Sequence, residues 1–280
     1  MDTAGSVVRS LPDTDTPGTA GRTAGRGPAS AAWEAPLAAF RGEPLVCRRA
    51  DALPCAPEEL ARDILSRGEW EYWAGMRAVE KRRREWLLGR LVAKDAVGLL
   101  VQDYMGEPLT PAEIEIVPDA YGQPHAAGRW TERLGVRPAL SISHSDGTAV
   151  ALAALHSGRR VGIDLENLAQ RREDFEAIAF SPDERQMLAA MPEALRPEWA
   201  LRMWCAKESL AKALGRGFSA GIQAFHITAA SLAGGEMQLE LRDGALRQFP
   251  GLRGQRTIAY TAREMDFVFS TVVYQEGAIE

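Results

Sequence analysis

Residues 85–98 read EWLLGRLVAKDAVG, and residues 198–211 read EWALRMWCAKESLA. Laid over one another without a gap, at an offset of 113 residues, they match at Glu85/Glu198, Trp86/Trp199, Leu88/Leu201, Ala93/Ala206 and Lys94/Lys207, with Asp95 over Glu208. Upstream, Ser66, Glu69 and Ala74 match Ser181, Glu184 and Ala189 at an offset of 115. Two matches at nearly equal offsets point to a duplicated unit, and the duplication governs how every other element is read.

Each copy runs from helix to strands. Helical regions are expected over residues 57–100 and over 181–215, the second broken near Pro192 and Pro197. Pro197 suits the first turn of a helix, while Gly215 and Gly217 suit its end. ALSISHSDGTAVALAAL (139–155) gives two apolar strands around Asp146-Gly147, a pair favoured in tight hairpins, and RRVGIDLE (159–166) gives a third. QRTIAYTAREMDFVFSTVVY (255–274) repeats the strand, turn, strand pattern. The expected fold is α+β: two pseudo-symmetric halves, each a long helix packed on a small, largely antiparallel sheet. The halves are expected at residues 33–157 and 158–280, after a disordered tail over residues 1–32 that is rich in Gly, Ala, Thr, Ser and Pro.

A length of 280 residues with 46% hydrophobic content allows a substantial core. No apolar run reaches the roughly 20 residues that span a bilayer, and the N-terminus lacks an apolar secretory region. The three cysteines, Cys47, Cys55 and Cys205, have neither disulfide-framework nor metal-ligand spacing, which fits a reducing cytoplasm. A net charge of −5 argues against general nucleic-acid binding. EKRRREW (80–86) is locally basic and reads either as a solvated helix face or as a surface for phosphate or an acidic partner.

In RRVGIDLENL (159–168) the alternation sends Asp164 and Glu166 out of one face of a half-buried strand, about 7 Å apart. They read either as exposed strand-end acids facing Arg159 or Arg160, or as ligands. The helix from Trp199 to Leu214 is apolar nearly all round, so Glu208 within it calls for a partner, either Lys212 one turn on or a metal. Three carboxylates without a thiol or imidazole cluster describe a hard-cation site suited to Mg²⁺. His144 shares the parity of Leu140 and Ile142 and reads as a core histidine or as a phosphate contact at the strand end. Cys205 reads as a packed thiol, having no evident His and Asn partners. No P-loop or G-x-G-x-x-G is present.

SISHSDG (141–147), VGIDLE (161–166) and WCAKESLAK (204–212), in this order and spacing, resemble the signature of the surfactin-type 4'-phosphopantetheinyl transferases. FSPDE (180–184) and LLGR (87–90) stand where that family has further short motifs, and the resemblance spans about residues 60–225. It implies two pseudo-symmetric α+β halves with coenzyme A between them, acting as a monomer. The implied reaction moves the phosphopantetheine arm onto a serine of an acyl or peptidyl carrier protein and releases adenosine 3',5'-bisphosphate.

By resemblance, Asp164, Glu166 and Glu208 hold Mg²⁺ against the coenzyme A diphosphate. Glu208, or water held by it, takes the serine proton. Lys207 or Lys212 offsets phosphate charge, and His144 and Ser143 contact coenzyme A. Two positions depart from the family. AYGQPHA (120–126) carries neutral Gln123 where a cation is common, and of the upstream basic pair only Arg77 is a candidate. Two rival classes stand beside it: a Mg²⁺-dependent phosphohydrolase using the same carboxylates, and a non-catalytic carrier-binding relative whose carrier binding is unaffected by losing Asp164 or Glu208.

Overall fold

The computed structural model describes residues 44–155, 158–170 and 175–275, with Leu37 and Phe40 besides; the tail expected over residues 1–32 lies outside them. The first half runs β1 (Leu45–Ala50), α1 (Pro57–Ile64), α2 (Arg67–Ala74), α3 (Glu80–Met105), β2 (Glu115–Pro118), β3 (Pro124–Ala127), α4 (Trp130–Leu134), β4 (Ala139–Ser145) and β5 (Thr148–Ala154). The second runs β6 (Arg159–Asn167), α5 (Phe175–Ala179), α6 (Pro182–Ala189), α7 (Arg196–Leu214), β7 (Phe225–Ala230), β8 (Glu236–Leu241), α8 (Asp243–Gln248), β9 (Thr257–Glu264) and β10 (Phe267–Gln275).

The strands form a sheet β1-β5-β4, a hairpin β2-β3 and a five-stranded sheet β6-β10-β9-β8-β7, antiparallel throughout. The expected α+β class with a long helix on each sheet is what is found. Asp146 (φ 47°) and Gly147 (φ 78°) turn β4 into β5, both in the left-handed region that a two-residue type I′ loop requires. The third strand, β6, joins the second sheet, pairing with β10 from Arg159↔Gln275 to Asn167↔Phe267. No helix among the described residues is long and apolar enough to cross a membrane.

The helical region expected over 57–100 is three helices. Ser66 ends the first stretch and starts the next by a capping box with Glu69, and Ser181 with Glu184 does the same at the start of α6. Each capping glutamate then reaches inward. Glu69 accepts from the amide of Ile116 on β2 and pairs with Lys94 of α3. Glu184 accepts from the amide of Ile227 on β7 and pairs with Lys207 of α7. Each lysine also donates to the carbonyl that closes the preceding helical segment, Lys94 to Ile64 at 2.7 Å and Lys207 to Ala179 at 2.8 Å. The duplicated Ser, Glu and Lys are therefore one device used twice, tying a capped helix, a strand and the long helix together.

Four apolar clusters result among the described residues, the smallest being Leu201, Cys205 and Val268. One fills each half around α3 and α7, and the third joins the halves, with Cys47, Val150 and Leu152 of the first meeting Val161, Ile163, Leu165 and Phe269 of the second. Strand β6 is thus covered on one face by the first half. Its other face lies against α7, and Gly162 permits that approach: a Cβ there would sit 1.8 Å from the carbonyl oxygen of Ser209. The strand expected to be half-buried is buried on both faces for this reason.

Candidate active site

Asp164 and Glu166 leave β6 on the face toward α7. Asp164 is only 3% exposed. Its Oδ1 accepts from Lys212 Nζ at 2.7 Å and from Ser143 Oγ at 2.9 Å, while Oδ2 is buried without a hydrogen-bond partner. Glu166 Oε2 accepts from Ser145 Oγ at 3.1 Å. Lys212 also donates to Ser143 Oγ at 2.9 Å and to the carbonyl of Ile163 at 3.2 Å.

Charge is under-compensated here. Burial, with Asp164 adding like-charge repulsion, pushes the carboxyls of both Glu166 and Glu208 up to about 7. Burial works against the Lys212 ammonium, but Asp164, with Glu208, outweighs it and leaves its pKa raised. Lys212 therefore serves Asp164 first, rather than forming a simple one-turn pair with Glu208. Among the described residues, no group of three or more His, Cys, Asp or Glu side chains is gathered closely enough to hold a metal ion.

A cleft of about 590 Å³ opens between the start of α3, the β2-β3 hairpin and the end of β4; none of these carboxylates, nor Lys212, lines it, and His144, next along β4 to Ser143, is its link to them. Lys81, Arg82, Glu85, Trp86, Arg90 and His144 line it. His144 is not a core residue: its side chain is 47% exposed, with Nδ1 3.9 Å from Glu85 Oε2. Partial burial lowers its pKa against the pull of Glu85. Arg90 stacks its guanidinium 4.0 Å over the Trp86 ring, gives Nη2 to the carbonyl of Ile116 at 3.4 Å and has Nε buried without a partner. Sequence reading singled out LLGR but not the arginine in it.

Several expected site residues lie elsewhere. Lys207 is 0% exposed and spent on Glu184, so it is not poised for phosphate; the KE pair is adjacent in sequence, but consecutive helical positions face different ways. Arg77 is exposed ahead of α3 and is not among the residues lining the cleft. Gln123 sits over the end of α7, its amide 3.5 Å from the carbonyl of Lys212 and its Oε1 filling the space above Gly215. Cys205 is fully buried, its thiol raised well above the usual range by burial and directed to the carbonyl of Val268, consistent with a packed thiol.

The equivalent place in the first half is built differently. Asp95, the counterpart of Glu208, faces Arg48 of β1 at 3.7 Å. A cation stands there where the second half has a carboxylate.

The family model of the 4'-phosphopantetheinyl transferase superfamily matches residues 160–261. The chain is 31% identical over 120 residues to the holo-[acyl-carrier-protein] synthase of Shewanella frigidimarina (strain NCIMB 400), covering 41% of this chain and 95% of that protein. It is 43% identical over 70 residues to the synthase of the same name from Geobacillus kaustophilus (strain HTA426), covering 25% of this chain and 52% of that one. The crystal structure of holo-[acyl-carrier-protein] synthase from Neisseria meningitidis aligns over 42% of this chain and 98% of its own, at 19% identity and a TM-score of 0.35. The chain belongs to the 4'-phosphopantetheinyl transferase superfamily. It is a phosphopantetheinyl transferase, and the reaction of that family moves phosphopantetheine from coenzyme A to a carrier protein.

Proposed function

We propose that the chain is a Mg²⁺-dependent enzyme that modifies a serine of an acyl or peptidyl carrier domain, releasing adenosine 3',5'-bisphosphate. In this reading it works as a monomer of two halves, 33–157 and 158–280, with one active site between them. The observation that carries the reading is the buried, unpartnered Oδ2 of Asp164, beside two carboxyls raised to about 7, with Ser143, which bonds Asp164, next along β4 to His144 of a cationic cleft.

The donor set is of the chemical kind a hard cation takes, and its three carboxylates, which do not stand gathered around one point in this structure, would converge on the ion. All three carboxylates offer oxygen, the Cys205 thiol beside Asp164 is held protonated by its burial, and a divalent ion would relieve both the orphaned oxygen and the excess negative charge. Asp164, Glu166 and Glu208 would hold it. When bound, Mg²⁺ would neutralise the coenzyme A diphosphate as its phosphoanhydride bond breaks.

The remaining work falls to the chain's own groups. Arg82 and Arg90, which line the cleft, hold phosphate there. His144 and Ser143 bond coenzyme A phosphate oxygens from β4. Lys212 adds positive charge where the diphosphate carries its own. Glu208 takes the proton of the carrier serine as the serine oxygen attacks the β-phosphorus, directly or through one water. Adenosine 3',5'-bisphosphate leaves.

Apo carriers incubated with the chain, coenzyme A and Mg²⁺ test this by intact mass. A gain of one phosphopantetheine on the serine, lost on chelation, is expected. Coenzyme A cleavage without any carrier would instead indicate a phosphohydrolase.

A further inference from the structure

Strand β6 ends its sheet, so the amides of Ile163, Leu165 and Asn167 face away from β10 and need partners. They find them in side chains. Ser141, Ser143 and Ser145, at alternate positions of β4, accept from Ile163, Leu165 and Asn167 at 3.0, 3.3 and 3.2 Å. Three buried hydroxyls thus close the edge between the two sheets.

A serine hydroxyl has one proton left after accepting. At two of the three rungs that proton goes to a carboxylate: Ser143 donates to Asp164 Oδ1 at 2.9 Å and Ser145 to Glu166 Oε2 at 3.1 Å. Asp164 has Lys212 as a second fixed donor. Glu166 is held by the Ser145 hydroxyl together with the Trp204 side chain, so Ser145 is the hydroxyl that shares in orienting it.

We infer that Ser145 is a positioning residue: held by the amide of Asn167, its hydroxyl aims the Glu166 carboxylate into the cation site. This deepens the reading proposed above and rests on it. Ser141 is the internal control, since it closes the same edge through Ile163 and lies a full rung away from either carboxylate.

Mn²⁺ binding to the full chain, followed by electron paramagnetic resonance without carrier or coenzyme A, tests the inference. Ser145→Ala is expected to weaken Mn²⁺ binding by about tenfold or more, the usual effect of losing a group that orients a ligand. Ser141→Ala is expected to bind Mn²⁺ as the native chain does, and Ser145→Thr to recover most of the loss. Ser145→Cys, nearly isosteric and a weaker donor, serves if the alanine variant does not fold, with a smaller loss expected. Native-like Mn²⁺ affinity in Ser145→Ala (or in Ser145→Cys in its place), or an equal loss in Ser141→Ala, overturns the inference and leaves the metal reading intact. A native chain that binds no Mn²⁺ overturns both.

Discussion

Lys207 Nζ lies 2.8 Å from Glu184 Oε2 in the second half, and Lys94 with Glu69 forms the same buried pair in the first. The half without the carboxylate cluster keeps the pair, so its role belongs to the fold. Burial lowers the pKa of both lysines, and each glutamate partly restores it. Breaking such a pair leaves an uncompensated buried charge, which costs about 3–5 kcal/mol. Lys207→Met and Lys94→Met are expected to lose comparable stability in urea unfolding, with the KM for coenzyme A near native in whatever fraction folds.

Glu208→Gln tests the opposite case. Its carboxyl is half-buried and already raised to about 7, so a neutral amide removes repulsion from Asp164. Transfer is expected to fall by about 10²–10⁴-fold, the range for loss of a general base, while the thermal midpoint does not drop. Single-turnover transfer and calorimetry on the same preparation would check both halves of this expectation.

The same two carboxyls set a pH dependence in the metal-free protein. Glu166 and Glu208 move from an ordinary 4.5 up to about 7, so between those values the folded chain holds more protons than the unfolded one. Their contribution then falls as pH rises through that window and levels off above it. A divalent ion removes the repulsion that appears as they ionise. The gap in thermal midpoint between Mg²⁺ and EDTA is expected to widen from pH 5 to pH 7.5, and to widen less in Glu208→Gln.

Gly162→Ala places a methyl where the Ser209 carbonyl oxygen already lies, 1.8 Å away. Strand and helix must part, at a cost of about 1–3 kcal/mol for overpacking. Unfolding midpoint and transfer rate are expected to fall together, because the same displacement separates Asp164 from Lys212.

Much of this was legible in the chain. Ser66, Glu69 and Lys94 recur as Ser181, Glu184 and Lys207 because each set makes the same bonds, and identity survives where a buried charge tolerates no substitute. Asp146-Gly147 announced its turn through the φ it must adopt. The role of Lys207 was not legible, since its partner is 23 residues away and only folding brings them together. Arg90 reads as one more helical cation until the cleft and its unpartnered Nε are seen. Ser145 belongs to a strand whose alternation says which face a residue takes, not that another sheet's edge waits there.

Of two quasi-equivalent places, one built on Asp164 and Glu208 and the other on Arg48 and Asp95, only the first is expected to perform transfer. Holo-carrier formation by Asp95→Asn and Glu208→Gln, measured side by side by intact mass, tests it most directly. Near-native transfer by Asp95→Asn and almost none by Glu208→Gln is predicted. Substantial transfer by Glu208→Gln, or its loss in a folded Asp95→Asn, would contradict it.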